Sequence, residues 1–457
     1  MNPQHSSLPY PFLSVALVVL LAGSLPVGGQ WMRRGLAILA GLAAAACMTA
    51  ALVVAPMGAT SMAHDPWVPL LALQGADGWI VLALCLITLL LVVAAPARDV
   101  TDGVTQGTVF LCGANLLAHA STHAWTMGLG WALTALPFMV GRRAMQGSGR
   151  HWLLPVVGST AALAVASAAD VASGGQPAGT LPWLLVLAAI VARKGLFPLH
   201  GWVVRMFQDA PLAWLAVAFN GRLGSLLFLR FETGHQGVPA WAVDVLSWVI
   251  LASAVTCSLR ALFEKDPRRL LGYLFIGQSA LVLGGVIVGN EEGFTGSLVH
   301  WLTVAAASSG LMAALRAMQA RLPGLDWSRR APGLAVSAPR LATFFLVFAL
   351  TLAGLPGTLG YCSQDLVFSG ATEHSFAMGL TLVVTSALNA IAVFRIYSHL
   401  FLGVRPRHSI AVPDLLPRER WPLVACLVFL LAGGLFPTSV IRWKTPEFHP
   451  PAATPGH

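Results

Sequence analysis

Four basic side chains fall where a membrane helix would least accommodate them. Arg193, Lys194, His200 and Arg222 lie in one stretch, Ile190–Phe231, embedded in apolar sequence of membrane-spanning length. A charge at the bilayer centre costs about 2.5–3.5 kcal/mol on insertion scales, so such residues pair or line a polar path. A lysine can relay protons because burial brings its pKa toward neutrality, whereas an arginine stays charged and can only gate or anchor. Histidine titrates near pH 6.5 unaided, and His119, His123, His200, His300 and His399 all fall in or beside apolar runs. Pro198 and Pro211 each remove a helical hydrogen bond from the same stretch, leaving backbone groups that need protein or water partners at that depth. Charge and broken helix together point to ion movement. The plainer alternative is snorkelling of long basic side chains to a nearby interface.

The elements that must carry these residues are membrane helices. The chain has 457 residues, 56% apolar and 10% charged, with a mean hydropathy of +0.74. Ordinary soluble domains carry about 25% charge, which makes this a polytopic all-α membrane protein. The opening segment, MNPQHSSLPY, lacks the basic start of a cleaved signal peptide, so the first apolar run is expected to stay in the mature protein. Six cysteines are scattered singly without a CxxC pair, supporting neither an iron–sulfur cluster nor a zinc site. No GxGxxG follows a strand, so no cofactor is expected, and the chain is not expected to be an enzyme by itself.

Apolar runs of bilayer length recur near 11–29, 35–55, 78–96, 107–121, 124–141, 152–169, 181–203, 211–231, 240–262, 269–289, 294–315, 341–360, 375–402 and 420–438. That makes about fourteen transmembrane helices. Alternate loops hold the basic residues: Arg33–Arg34, Arg98, Arg142–Arg143–Arg150, Arg205, Lys265–Arg268–Arg269, Arg316–Arg321–Arg329–Arg330 and Arg405–Arg407–Arg418–Arg420. The loops between them carry Asp65, Asp170, Glu232, Glu291–Glu292 and Glu373. Positive residues stay cytoplasmic, so both termini are expected outside, with Arg230, Arg442 and Lys444 as exceptions. The net charge of +9 follows this alternation and does not point to nucleic acid. A second broken run, Leu350–Phe368, repeats the first pattern: apolar sequence interrupted by Gly and Pro, then Asp365. Two such discontinuous helices suggest two repeats related by inversion, with a polar path near the midplane.

Four motifs now resemble one family, the antiporter-like proton-translocating subunits shared by respiratory complex I, Mrp-type cation antiporters, membrane-bound hydrogenases and DAB-type inorganic-carbon pumps. Lys-Ser-Ala-Gln-aromatic-Pro-apolar-His-x-Trp is similar to the run from Arg193 to Trp202, with Pro198 and His200 in place. Asp-x-Lys-Arg-x-Leu-Ala-Tyr-Ser-x-x-Ser-Gln resembles Asp266 to Gln278, and Gly-x-Pro-x-x-Gly-Phe-x-Ser-Lys-Asp resembles Gly354 to Asp365. The closing Arg-x-x-x-x-x-Phe-x-Gly is met by Arg395, Phe401 and Gly403. The resemblance covers roughly residues 75–405 and implies fourteen core helices in two inverted repeats. The implied division is 1–96 as N-terminal helices, 97–232 and 233–405 as the repeats, and 406–457 as a last helix and short tail. The cost of polar and charged groups in or beside apolar segments draws the expected ion path from Arg193, Lys194, His200, Arg222, His300, Asp365, Arg395, His399 and His123, with Arg193 as a fixed charge and Asp365 as the counter-charge of Arg193 or Arg222.

The departures are as telling. The family's Gly-Trp-Glu is matched by Gly130-Trp131-Ala132, its central lysine by Ser308, and its distal Ser-Lys by Ser363-Gln364. The short chain and altered axis resemble most a DabB-type subunit of an inorganic-carbon pump. There, the resemblance implies, cation flow through the bacterial inner membrane energises a separate zinc-dependent, carbonic-anhydrase-like subunit. An ordinary complex I or Mrp subunit and a structural scaffold with a decayed channel are the alternatives. The charge pattern makes one direct prediction: a cysteine introduced beside Arg268 in a cysteine-depleted background stays unlabelled by impermeant maleimide in intact cells. Labelling there reverses the topology.

Overall fold

The computed structural model describes residues 9–54, 77–121, 124–141, 143–147, 150–173, 180–234, 238–323, 333–402 and 413–441. His123 and Gly403 lie outside the described residues, as do Asp65, Arg142, Arg329, Arg330, Arg405, Arg407, Arg442 and Lys444 of the charge pattern. The described chain is helical: α1 Pro9–Gly23, α2 Gln30–Val54, α3 Asp77–Val93, α4 Ala97–Thr101, α5 Val104–Ala120, α6 Ala124–Leu133, α7 Leu136–Val140, α8 Leu153–Ser173, α9 Thr180–Lys194, α10 Gly201–Asp209 and α11 Leu212–Asn220. It continues as α12 Leu223–Gly234, α13 Ala240–Phe263, α14 Pro267–Ile287, α15 Glu291–Arg321, α16 Leu334–Ser337, α17 Pro339–Leu352, α18 Leu359–His374, α19 Phe376–Phe401, α20 Pro417–Leu435 and α21 Pro437–Ile441. Among the described residues, six segments are long and apolar enough to cross a membrane: Gln30–Leu52, Leu212–Phe231, Ala240–Phe263, Pro267–Ile287, Glu291–Arg321 and Phe376–Phe401.

Several apolar runs that read as one helix are two. The run at 181–203 stops at Lys194 and resumes as α10, with Pro198 in the gap. The run at 211–231 breaks at Gly221 and Arg222, where Arg222 takes a left-handed backbone conformation, φ 47°. The run at 341–360 ends at Leu352, and Gly354 at φ 85° supplies the left-handed turn that a side chain would strain. Helix α18 follows in a region the hydropathy pattern leaves between helices, because Gln364, Asp365, Ser369 and Glu373 dilute its apolar face.

The chain divides into two compact units. The first is Met1–Met145 with Ala213–Leu223, the second Gln146–Leu212 with Gly224–His457. In the first unit α1, α2, α3 and α5 pack together. Segment 213–223 is tied to them by Trp214, whose indole Nε1 donates to the Val104 carbonyl at 2.8 Å while its ring meets Phe138 edge-on. In the second unit α14 and α15 form the core, each buried throughout its most apolar window. Helix α15 packs against α17, α18 and α20, and α14 against α13 and α10.

Local sequence starts both core helices. Asp266 accepts from the Arg268 amide at 2.8 Å with Pro267 at the first helical position, and Asn290 Oδ1 accepts from the Gly293 amide at 2.9 Å. The buried Arg268 guanidinium also donates to the carbonyls of Phe207, at 2.7 Å, and Ala210, satisfying the last turn of α10. The Asp209 carbonyl accepts from the Gln146 amide at 2.7 Å, and its carboxylate lies 4.0 Å from His151. Burial pushes the His151 imidazole below its ordinary range, against the opposing pull of Asp209.

Helices α15 and α18 approach closely through small residues, the packing that holds helices together in lipid. A Cβ at Gly296 would stand 2.7 Å from the Val367 amide nitrogen. Gly296→Val is expected to cost about 1–3 kcal/mol by overpacking and to lower the unfolding temperature in detergent. Gly158→Ala, where a Cβ meets nothing within 4 Å, serves as the control and leaves that temperature unchanged.

Candidate functional site

The second unit contains buried polar groups drawn from five helices and one helix break. At one end Lys194, in the last turn of α9, donates from Nζ to Ser279 Oγ at 3.0 Å. Its stem lies against Gly224, where a Cβ would come within 2.9 Å of the Lys194 Cγ. The next residue on α14 is Gln278, and it turns the other way. Gln278 Nε2 donates to the Leu352 carbonyl at 2.8 Å, and its Oε1 receives His300 Nε2–H at 2.8 Å. His300 Nδ1 lies 3.0 Å from Ser363 Oγ, itself 3.0 Å from the Gly360 carbonyl.

This arrangement can hold His300 either neutral or protonated. Gln278 Oε1 must accept, because the amide nitrogen is committed to a carbonyl. The Ser363 hydroxyl has one proton and two acceptors, His300 Nδ1 and the Gly360 carbonyl. With His300 neutral the hydroxyl donates to Nδ1; with His300 protonated Nδ1–H donates to the hydroxyl, which then turns to Gly360. Both charge states are hydrogen-bonded through a single hydroxyl rotation, without moving a helix.

Leu352 ends α17, and its carbonyl is one of those the break sets free. It accepts from Gln364 Nε2 at 2.9 Å as well as from Gln278, and Ser386 of α19 donates to Gln364 Oε1 at 2.9 Å. The polar chain thus continues from His300 across the break to α19. Beside it is a cavity of about 10 Å³, lined in part by Gln278, Ser308, Leu352, Val304 and Met312. That is about the smallest space that holds a water.

The first unit has a polar cluster of its own at the other break. His119, fully buried on α5, donates from Nε2 to the Gly221 carbonyl at 2.9 Å. Asn115, one turn earlier, donates to the carbonyls of Leu111 and Val217 at 2.8 and 3.4 Å.

Of the residues singled out in the sequence, Lys194 and His300 are among these buried polar groups of the second unit. Arg193 is half-buried at the end of α9, and Arg222 is buried in the α11–α12 break of the first unit. His200 precedes α10, its ring stacked at 6.1 Å on Phe197, with no hydrogen-bond partner for Nδ1 among the described residues. Arg395 is exposed on α19, and His399 is half-buried in that helix's last turn. Asp365 does not act as the expected counter-charge: it is exposed on α18, and no hydrogen bond or ion pair is formed by it among the described residues. Its helix turns it away from the side on which Ser363 and Gln364 are buried. Gln278, Ser363 and Gln364 enter the sequence reading as motif matches and not as site residues, and Ser279 and Ser386 are not marked by it. Their signal is a glutamine or serine inside an apolar run.

A family model described as NADH:quinone oxidoreductase/Mrp antiporter, transmembrane, matches residues 149–389. Subunit N of NADH-quinone oxidoreductase from Desulforudis audaxviator is 29% identical over 244 residues, 51% of this chain and 47% of that protein. NAD(P)H-quinone oxidoreductase subunit 2 from the chromatophore of Paulinella chromatophora is 24% identical over 374 residues, 74% of this chain and 72% of that protein. The chain thus spans about half the length of several curated relatives it matches, 47% of the first and 53% of a Rickettsia bellii subunit M. A chain of respiratory complex I from Thermus thermophilus superposes with a TM-score of 0.82 at 22% identity, covering 95% of this chain and 97% of that one. A chain of the Mrp complex from Dietzia sp. DQ12-45-1b gives 0.76 at 17% identity, covering 96% of each. The fold is that of a multi-pass, antiporter-like membrane subunit.

Two substitutions test the polar chain. Gln278→Leu leaves His300 and the Leu352 carbonyl each short of a partner, at about 1–3 kcal/mol. It is expected to assemble but to reduce proton flux at least about tenfold, as one pKa-scale step of 1.4 kcal/mol corresponds to tenfold. Lys194→Arg keeps the charge and removes the titration, and the same loss is expected. Flux is read with a pH-sensitive dye in proteoliposomes, and parental flux in both variants places the route elsewhere.

Proposed function

The chain belongs to the NADH:quinone oxidoreductase/Mrp antiporter transmembrane family, and from that premise we propose that it is a proton-translocating subunit of a heteromeric membrane complex. One observation carries the reading. The buried set Gln278, His300 and Ser363 lies in the apolar core of the second unit, with the Lys194–Ser279 contact on the neighbouring residue of α14, and meets a broken helix. Unpaired polar groups in such a core are costly, and this set is hydrogen-bonded in either charge state of its histidine. We extend the two-repeat plan to about fourteen crossings, with the repeats at 97–232 and 233–405 and both termini on the periplasmic side of a bacterial inner membrane.

The finer reading we favour is dissolved inorganic carbon uptake, with cation flow energising a carbonic-anhydrase-like partner. The altered axis supports it. Where the resemblance expects a glutamate and two further lysines, this chain has Ala132, Ser308 and Gln364. With Lys194 and His300 as its basic groups and otherwise neutral amides and hydroxyls, the route has fewer charged stations than the resemblance expects, which suits downhill flow that drives something else. The similarity to quinone oxidoreductase subunits favours a second reading, a pumping subunit of a respiratory or Mrp-type complex.

Deleting the gene in its source organism separates the two. Inorganic-carbon uptake predicts poor growth in air and recovery at elevated CO₂. A growth defect indifferent to CO₂ but sensitive to sodium or to respiratory substrate selects the second reading. No defect together with no proton flux leaves a scaffold.

A further inference from the structure

We propose that the outward face of α18 is the docking surface for a transmembrane helix of a different subunit, and that this helix presents a lysine or arginine to Asp365 within the hydrocarbon of the bilayer. The inference rests on the reading above that the protein works within a heteromeric membrane complex.

Helix α18 is two-sided. Leu359, Gly360, Ser363, Gln364, Val367 and Ala371 are buried against the rest of the second unit. Tyr361, Asp365, Ser369 and Thr372 are exposed at a spacing that lines one face. Ser369 Oγ donates to Glu292 Oε2 at 2.5 Å, extending the polar surface onto α15. Neighbouring helices show what a lipid-facing side looks like in this unit. Helix α13 exposes Val245, Trp248, Leu259 and Phe263, and α19 exposes Leu380, Val383, Ile391 and Phe394. The face of α18 is not built for lipid.

Depth makes the point sharper. Asp365 lies nine residues from His374, where α18 ends, which at about 1.5 Å per residue is about 14 Å. Helix α19 starts beside that end and, at 26 residues, is about 39 Å long, longer than a hydrocarbon core about 30 Å thick, which places Asp365 inside the hydrocarbon, about 5–14 Å below its surface. A lysine or arginine can snorkel out of lipid on its long stem, but aspartate has a single methylene and cannot. Among the described residues its carboxylate has no hydrogen-bond or ion-pair partner in this chain. A carboxylate at that depth calls for a cation brought by something else in the membrane.

The α19 face of a second copy does not supply it. The exposed cation of α19 is Arg395. Helices α18 and α19 are joined through Ser375, so their adjoining ends share one level. Arg395 lies nineteen residues from that end, about 28 Å along the helix, twice the distance of Asp365 from the same end. Two copies inserted the same way keep their depths, and these two groups do not meet. Lipid headgroups stay outside the hydrocarbon. A helix of another subunit with a lysine or arginine at the depth of Asp365 fits.

The test uses the complex extracted from native membranes. Asp365→Leu and Asp365→Lys are expected to move at least about 90% of the protein from the complex to the free subunit on native gels, a tenfold shift or more. The free subunit keeps its unfolding temperature. Asp365→Asn, which still offers hydrogen bonds, retains most of the complex. A benzophenone side chain in place of Tyr361 is expected to cross-link to a different membrane polypeptide. Replacing the lysine or arginine next to that cross-link by aspartate should restore assembly of Asp365→Lys. A complex indifferent to the Leu and Lys variants, adducts only with lipid, or an adduct of two copies of this chain each overturns the proposal while leaving proton translocation standing. A parental protein that runs alone in native membranes overturns the complex itself, and the docking face with it.

Discussion

The structure of the second unit depends on one backbone oxygen. Helix α17 stops at Leu352, and a helix that stops inside an apolar core leaves carbonyls without partners. The Leu352 carbonyl is taken up by two glutamine side chains, Gln278 from α14 and Gln364 from α18. Once Gln278 has spent its nitrogen there, its oxygen can only accept, which orients His300. Once Gln364 has spent its nitrogen there, its oxygen takes the Ser386 hydroxyl. The break is therefore the organising feature around which neutral polar side chains are oriented, and those side chains are the candidate relay.

The same logic operates in the first unit with different residues. There the chain breaks at Gly221, and His119 donates to the freed carbonyl. The environment that makes the break costly also makes its remedy specific, because only a donor at the right height on a neighbouring helix can serve. Asn115 sits one helical turn from His119, and a Cβ on Gly221 would collide with its amide oxygen at 1.8 Å. Residue size and hydrogen bonding act together there. Two breaks, each closed by polar side chains from elsewhere in its own unit, are a physical reason for this chain to keep polar residues at membrane depth.

Charge is used sparingly beside this. Arg268 is spent on the carbonyls that end α10, a structural task. Arg321 is spent on Glu419, at 2.5 Å, and on the carbonyls of Pro413 and Asp414, which ties α15 to the start of α20. Both arginines come from the basic loops that suggested topology, and both act as clasps. Lys194 is a cation that enters the buried polar region of the second unit, where it donates to the Ser279 hydroxyl.

Membrane class, helical content and the breaks near Pro198 and Gly354 were legible in the sequence, because each follows from local chemistry, whereas the break at Gly221–Arg222 lies inside a run that reads as one helix. Twenty apolar residues span a bilayer, proline cannot continue a helix, and glycine turns where other residues resist. Lys194 and His300 were legible too, since charge or imidazole in an apolar run is conspicuous. The partners were not legible. Ser279 lies 85 residues from Lys194, and Ser363 lies 63 residues from His300; nothing in either neighbourhood says which serine will face which base. Asp365 marks the same boundary from the other side. Its type and depth were readable, but whether a helix points a residue inward or outward is set by the rotation of that helix against its neighbours. Packing decides that rotation: at Gly296 and Gly370 the small residues let α15 and α18 close on one face, which turns Ser363 and Gln364 in and Asp365 out.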